Sequence, residues 1–231
     1  SVDYLITDPP YGDTIQYSEL SYIWNCWLEK AFEIENEVII NPVQKKGVNE
    51  YYDQLTAFIG EAKRVLKKDA YFTLAFHNKD LKIWISLAEL IRDHGMELVD
   101  ISSYDTFGSP YNKNWAKFSP KSDFYVTFSN SQRKAKVANK KTIYPDEIAD
   151  EIVKCLGQNN GNLFNLNKAY DLFVGVVISK IFDGAQVAEH ERLSIENITN
   201  LFQDVPRVQK TEKKKKEKEE AQPRLFKLQH I

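Results

Sequence analysis

The backbone is committed within the first ten residues. Val2, Tyr4, Leu5 and Ile6 are β-formers, and their run meets Asp8-Pro9-Pro10, where two consecutive residues have no N–H to give to a ladder. A buried strand therefore ends at Thr7, and Asp8, Pro9, Pro10 and Tyr11 lie immediately past its carboxyl end. Residues that follow must leave the sheet. Over 16–29, Leu20, Ile23, Trp24 and Trp27 recur at helical spacing. A second helix is carried by the stripe Tyr52, Leu55, Phe58, Ile59, Ala62, Val65 and Leu66, with Lys63, Arg64, Lys67 and Lys68 near the negative end of its dipole.

The alternation continues. Residues 70–76 read as an apolar strand closed by His77-Asn78, and Asp80 is an N-cap for a helix bearing Ile83, Leu87, Leu90 and Ile91 that stops at Gly95. Two more strands, 97–103 and 123–128, flank a loop over 104–122, long enough to suggest a function of its own. Strand, helices, strand, helix, strand, loop, strand is an α/β order with an antiparallel finish. Beyond it lie a polar basic stretch (131–141), helical segments near 145–156, 166–182 and 194–202, and an almost wholly charged run over 210–220.

Charge is informative only when divided. The net of -2 over 231 residues separates into -7 for 1–100, +6 for 101–141, -5 for 142–208 and +4 for 209–231, so two basic blocks stand ready for a polyanion. Cys26 and Cys155 are far apart and form no CxxC, which argues against a zinc ribbon or a disulfide-built secreted domain, and no metal is expected. No apolar run approaches the roughly 20 residues that cross a bilayer, and residues 1–7 lack a basic leader. No membrane association and a cytoplasmic setting are expected.

Asp8-Pro9-Pro10-Tyr11 carries the chemistry. It puts a carboxylate, carbonyls fixed in direction by proline and an aromatic face at the carboxyl end of a strand, where open α/β sheets bind ligands. An exocyclic amino group has two N–H donors and a lone pair conjugated into its ring. The Asp8 carboxylate and the Pro9 carbonyl can hold both hydrogens and favour the pyramidal nitrogen that attacks an electrophilic carbon. Tyr11 can stack on a base flipped from a duplex, offsetting an unstacking cost of about a few kcal/mol. The plain alternative is a turn at a strand end.

The run Val2-Asp3-Tyr4-Leu5-Ile6-Thr7-Asp8-Pro9-Pro10-Tyr11-Gly12 resembles the catalytic motif of the S-adenosylmethionine-dependent amino-methyltransferases, the N6-adenine and N4-cytosine DNA methyltransferases of restriction-modification and DNA methylation systems. Tyr17 to Ser21 before a Trp-rich helix is similar to one subgroup of DNA methylases. The resemblance covers roughly 1–130. It implies an α/β, partial Rossmann-like methyltransferase sheet of about four strands ending in an antiparallel hairpin and followed by a small helical subdomain. The expected division is a catalytic half over 1–130, a basic linker over 131–141, the helical subdomain over 142–208 and a charged, disordered tail over 209–231. It further implies catalytic Asp8, Pro9, Pro10 and Tyr11, S-adenosylmethionine as methyl donor touched by Asp8, DNA as partner and, from Asp in the first motif position, adenine as target.

The family's Phe-x-Gly-x-Gly cofactor loop has no counterpart here. Leu172-Phe173-Val174-Gly175-Val176 has one glycine, within a helical pattern where it reads as a packing residue. The expectation is a C-terminal catalytic piece, inactive alone, whose missing N-terminal half or partner chain pairs along strand 2–7. DNA contacts are expected from Tyr11, from Tyr111, Lys113, Trp115, Lys117 and Lys121, which with Phe107 and Phe118 mix stacking faces with phosphate-seeking charges, and from Arg133 and Lys134 in the basic stretch. Plain solvated loops remain the alternative for both segments. His77 and Asn78 read first as polar strand caps beside the pocket. Two other functions share the motif: an RNA or tRNA guanine-N2 methyltransferase, and a methyltransferase-like subunit that only docks nucleic acid or a partner.

Overall fold

In a computed structural model of the protein, the described residues are 1–30, 34–105, 122–131, 141–158, 166–189, 193 and 195–202. The strand before the prolines, β1 (Val2–Thr7), pairs in parallel with β2 (Leu66–Phe76), placing Leu5 beside Phe72 and Thr7 beside Leu74. Parallel neighbours need a crossover. This one contains α1 (Tyr17–Trp27), a 3-10 turn (Ile34–Asn36) and α2 (Val48–Val65). After β2 come α3 (Leu81–Asp93), β3 (Glu97–Asp105) and β4 (Ser122–Ser129). β4 inserts antiparallel between β2 and β3, giving the order β1-β2-β4-β3 and the expected antiparallel finish.

Side-chain alternation divides the sheet. Phe72, Leu74 and Phe76 of β2 face the same side as Phe128, Val126 and Phe124 of β4, and all six are buried. Trp84 of α3 meets Phe76 and Phe124 edge-on at ring separations of 4.9 and 5.2 Å, and Phe58 of α2 lies 6.3 Å from Phe72. On the opposite face the β1 side is bare: Tyr4, Ile6 and Tyr71 are exposed, and the Tyr4 hydroxyl bonds Thr73 Oγ1 at 2.7 Å. β1 is an edge strand, with β2 its partner.

Three strands exceed the sequence pattern. β2 begins at Leu66 rather than at 70, directly out of α2, because Asn130 closes the helix end: its amide donates to the carbonyls of Leu66 (3.0 Å) and Lys67 (3.2 Å). β3 and β4 take in Tyr104, Asp105 and Ser122, which the pattern assigns to the loop. The remainder of that loop lies outside the described residues.

The later helices are α4 (Pro145–Gln158), α5 (Leu166–Phe182) and α6 (Ile195–Leu201), joined by a two-residue parallel pair, β5 (Thr142–Ile143) and β6 (Gln186–Val187). α5 is buried on most sides and lies against α3 and β4: Arg92 Nη1 donates to the Ile181 carbonyl at 3.3 Å, Ser122 Oγ to Asp171 at 2.5 Å, and the Phe182 ring lies 5.4 Å from Phe128.

Candidate active site

The carboxyl ends of β1 and β2 and the start of β4 meet along one rim of the sheet. Asp8 is exposed there, while Pro9 and Gly12 are buried. What fixes the motif is the disposal of its carbonyls. Pro10 O accepts from the Tyr51 hydroxyl of α2 at 2.6 Å, Tyr11 O from Asn78 Nδ2 at 2.8 Å and Gly12 O from Ile40 N at 3.2 Å. Three successive carbonyls are thus tied to three separate parts of the fold. Gly12 sits at φ +76°, and a Cβ there would come within 3.2 Å of Ile83 and 3.4 Å of Ile40. Of the motif's acceptors, the Asp8 carboxylate remains exposed on the rim. Among the described residues no main-chain or side-chain donor bonds Pro9 O.

The Tyr11 hydroxyl donates to Asp8 Oδ1, and its ring stands edge-on to Phe76 at 5.3 Å. Burial, with the Asp8 hydrogen bond and the charges of Asp8 and Asp123, pushes the Tyr11 phenol well above its ordinary range. The Tyr17 phenol, at the start of α1, is raised by burial and by the charge of Asp8. His77 Nδ1 lies 3.1 Å from both the Ser122 carbonyl and Asp123 Oδ1, and its ring is 6.3 Å from Tyr11.

α1 is anchored by polar contacts. Glu37 accepts from Ser18 N (2.9 Å) and Ser18 Oγ (2.7 Å), while Gln44 Nε2 donates to the same carboxylate at 3.0 Å and Asn41 Nδ2 to Gln16 Oε1 at 2.6 Å. Burial opposes ionisation of Glu37, but bonds from Ser18 and Gln44 and the nearby Lys46 charge outweigh it and hold the carboxyl below its ordinary range. No residue of α1 is buried: Leu20, Ile23, Trp24 and Trp27 are 61–73% exposed. The helical spacing forms a helix, but its apolar stripe points away from the body.

The structure brings Asp8, Pro9, Pro10 and Tyr11 together with His77, Asn78 and Asp123. Tyr111, Lys113, Trp115, Lys117, Lys121, Arg133 and Lys134 lie outside the described residues, as do Phe107 and Phe118. Sequence reasoning missed Tyr51 and Ile40, which carry no local signal of their roles, and read Asn78 first as a polar strand cap beside the pocket. A cradle for S-adenosylmethionine does not form from these residues, because the space at Gly12 is filled by core side chains and Gly175 is buried inside α5. Among the described residues no three His, Cys, Asp or Glu side chains are placed to hold a metal, and no helix is long and apolar enough to cross a membrane.

No curated protein matches the sequence. A solved structure from Thermus thermophilus, provisionally named a DNA modification methylase, overlaps 88% of this chain and 89% of its own at 11% identity and a TM-score of 0.34, too loose a likeness to carry weight. The model of the N6/N4 DNA methylase family, by contrast, matches residues 2–229. With the motif at the end of β1 and the match spanning almost all of its length, the chain belongs to the DNA methylase family.

Proposed function

We propose that the chain is the acceptor half of a cytoplasmic DNA methyltransferase that modifies the N6 amino group of a flipped adenine. One observation carries the reading: with the carbonyls of Pro10, Tyr11 and Gly12 bonded to the fold, the exposed Asp8 carboxylate and the Pro9 carbonyl, for which no donor stands among the described residues, are left as the pair of acceptors. Two acceptors match the two hydrogens of an amino group. Tyr11 releases Asp8 when the target arrives and stacks on the base. Rate enhancement then comes largely from orientation of the nitrogen. Asp in the first motif position supports adenine over cytosine.

S-adenosylmethionine supplies an electron-poor methyl group. Its cradle belongs to a glycine-rich body that pairs along the open edge of β1 and covers Tyr4 and Ile6, so the chain alone does not transfer methyl groups. Tyr111, Lys113, Trp115, Lys117 and Lys121, with Arg133 and Lys134, supply stacking faces and phosphate contacts to the DNA by their chemistry.

The test is methyl transfer from labelled S-adenosylmethionine to DNA, with the chain alone and together with a polypeptide bearing the Phe-x-Gly-x-Gly loop, followed by digestion to nucleosides. The expected product is N6-methyladenine from the combination only, lost about 100-fold or more in Asp8→Ala. Label on cytosine N4 overturns the choice of base, label in RNA alone overturns DNA as substrate, and transfer by the chain alone overturns the need for a second body. Nucleic-acid binding without transfer, unchanged by Asp8→Ala, marks a docking subunit instead.

A further inference from the structure

We propose that Asn78 is the positioning residue of the active-site loop: its side-chain amide holds the Tyr11 carbonyl inward, which keeps the Pro9 carbonyl and the Asp8 carboxylate aimed at the target amino group. The proposal rests on Asp8 and Pro9 being the acceptors of that group.

Asn78 is 3% exposed and spends its hydrogen-bonding capacity on structure rather than solvent. Nδ2 donates to Tyr11 O at 2.8 Å, across 67 residues of sequence. Oδ1 accepts from Asp80 N at 2.7 Å, and the main-chain carbonyl accepts from Trp84 Nε1 at 3.1 Å and from the Tyr170 hydroxyl at 3.4 Å. The amide is therefore mounted on α3 and α5.

A cap is not what this position needs. α3 already has one, since Asp80 Oδ1 accepts from Lys82 N at 2.9 Å. Ser, Asp or Asn would serve equally as a turn acceptor at 78, but only Asn adds a donor that reaches Tyr11. The donor matters because of its neighbour. The Tyr11–Gly12 peptide is followed by a glycine at φ +76°, a residue free to take either hand, so the sequence alone does not determine which way that peptide points. Two donors hold it: Thr14 Oγ1 at 3.1 Å, from within the same loop, and Asn78 Nδ2 at 2.8 Å, the one that ties it to the body of the fold. Loss of that tie lets the segment around Tyr11, whose hydroxyl bonds Asp8, move against the body of the fold, and a misplacement of about 1 Å at a reacting site costs about 100-fold in rate.

The test compares Asn78→Asp, which keeps the acceptor and removes the donor, with Asp80→Ala, which removes the α3 cap and leaves the latch. Two readouts are taken: hydrogen exchange of residues 8–14 in the chain as it stands, and kcat and KM for DNA in the methyl-transferring combination. For Asn78→Asp the expectation is faster exchange over 8–14 and a kcat lower by about 10- to 100-fold, with KM for DNA within about twofold. For Asp80→Ala it is a lower Tm with exchange over 8–14 and kcat unchanged. Asn78→Ser, which also keeps an acceptor without the amide, gives the same readouts should the aspartate variant not fold. Unchanged exchange and kcat in both Asn78 variants overturn the proposal, as does a rise in KM alone. A wild-type combination that transfers no methyl group overturns the functional reading instead, and the exchange data still decide whether Asn78 holds the loop.

Discussion

At the rim, the Tyr11 hydroxyl donates to the Asp8 carboxylate, the group proposed above as acceptor for the amino group of a base. The motif is thus self-satisfied while idle, and what holds it in register is the set of bonds behind it. Gly12 is the most sensitive of those supports. Gly12→Ala puts a Cβ 3.2 Å from Ile83 Cδ1 at a φ that L-residues rarely adopt, so a loss of about 1–2 kcal/mol is expected, read as a lower urea midpoint with unchanged slope. The motif itself was legible because two prolines after a β-run stop a strand wherever they occur. Tyr51, Ile40 and Asn78 were not, because hydrogen bonds across the fold leave no periodic trace in sequence.

Among elements, α1 separates two things that a sequence pattern merges. Leu20, Ile23, Trp24 and Trp27 specify a helix by their spacing, yet spacing alone does not say whether an apolar stripe meets this chain's core or something else. Here the polar side of α1 is held, by Glu37 on Ser18 and Asn41 on Gln16. Glu37→Gln should therefore loosen the first turn of α1 by about 1 kcal/mol, measured by hydrogen exchange of the α1 amides, with the α3 amides unaffected. The pH dependence has a definite sign. Glu37 ionises at lower pH in the folded protein than in the unfolded chain, so its contribution is present above the ordinary carboxylate pKa and is lost as pH falls through the folded value; the variant lacks that acid limb. Strands β5 and β6 were illegible for a different reason, since two residues are too few to show alternation.

Across the whole molecule, buried phenols set the alkaline limit. Tyr51 and Tyr170 are pushed up chiefly by burial, and Tyr11 by burial together with Asp8. Each is raised in the folded state, so their contribution is intact below the ordinary tyrosine pKa of about 10 and is lost as pH rises above it, where the unfolded chain releases protons that the native state retains. Urea midpoints should hold level from about pH 7 to 9 and fall steeply beyond pH 10. The order of elements around this core was readable because strands and helices alternate with clear stops. The seat of α5 against α3 and β4 was not, because a helix that is apolar on most sides does not declare its neighbours.

The outward stripe of α1 has an optical consequence. Trp24 and Trp27 stand in solvent with rings 5.4 Å apart and nearly perpendicular, whereas Trp84 is only 2% exposed in the core. In a Trp115→Phe variant, which removes the tryptophan outside the described residues, red-edge emission and its quenching by small solutes therefore report on α1, while Trp84 contributes the blue, shielded component. Any body that settles on α1 has to blue-shift the first signal and protect it, and a partner that leaves α1 bare leaves the spectrum as it was.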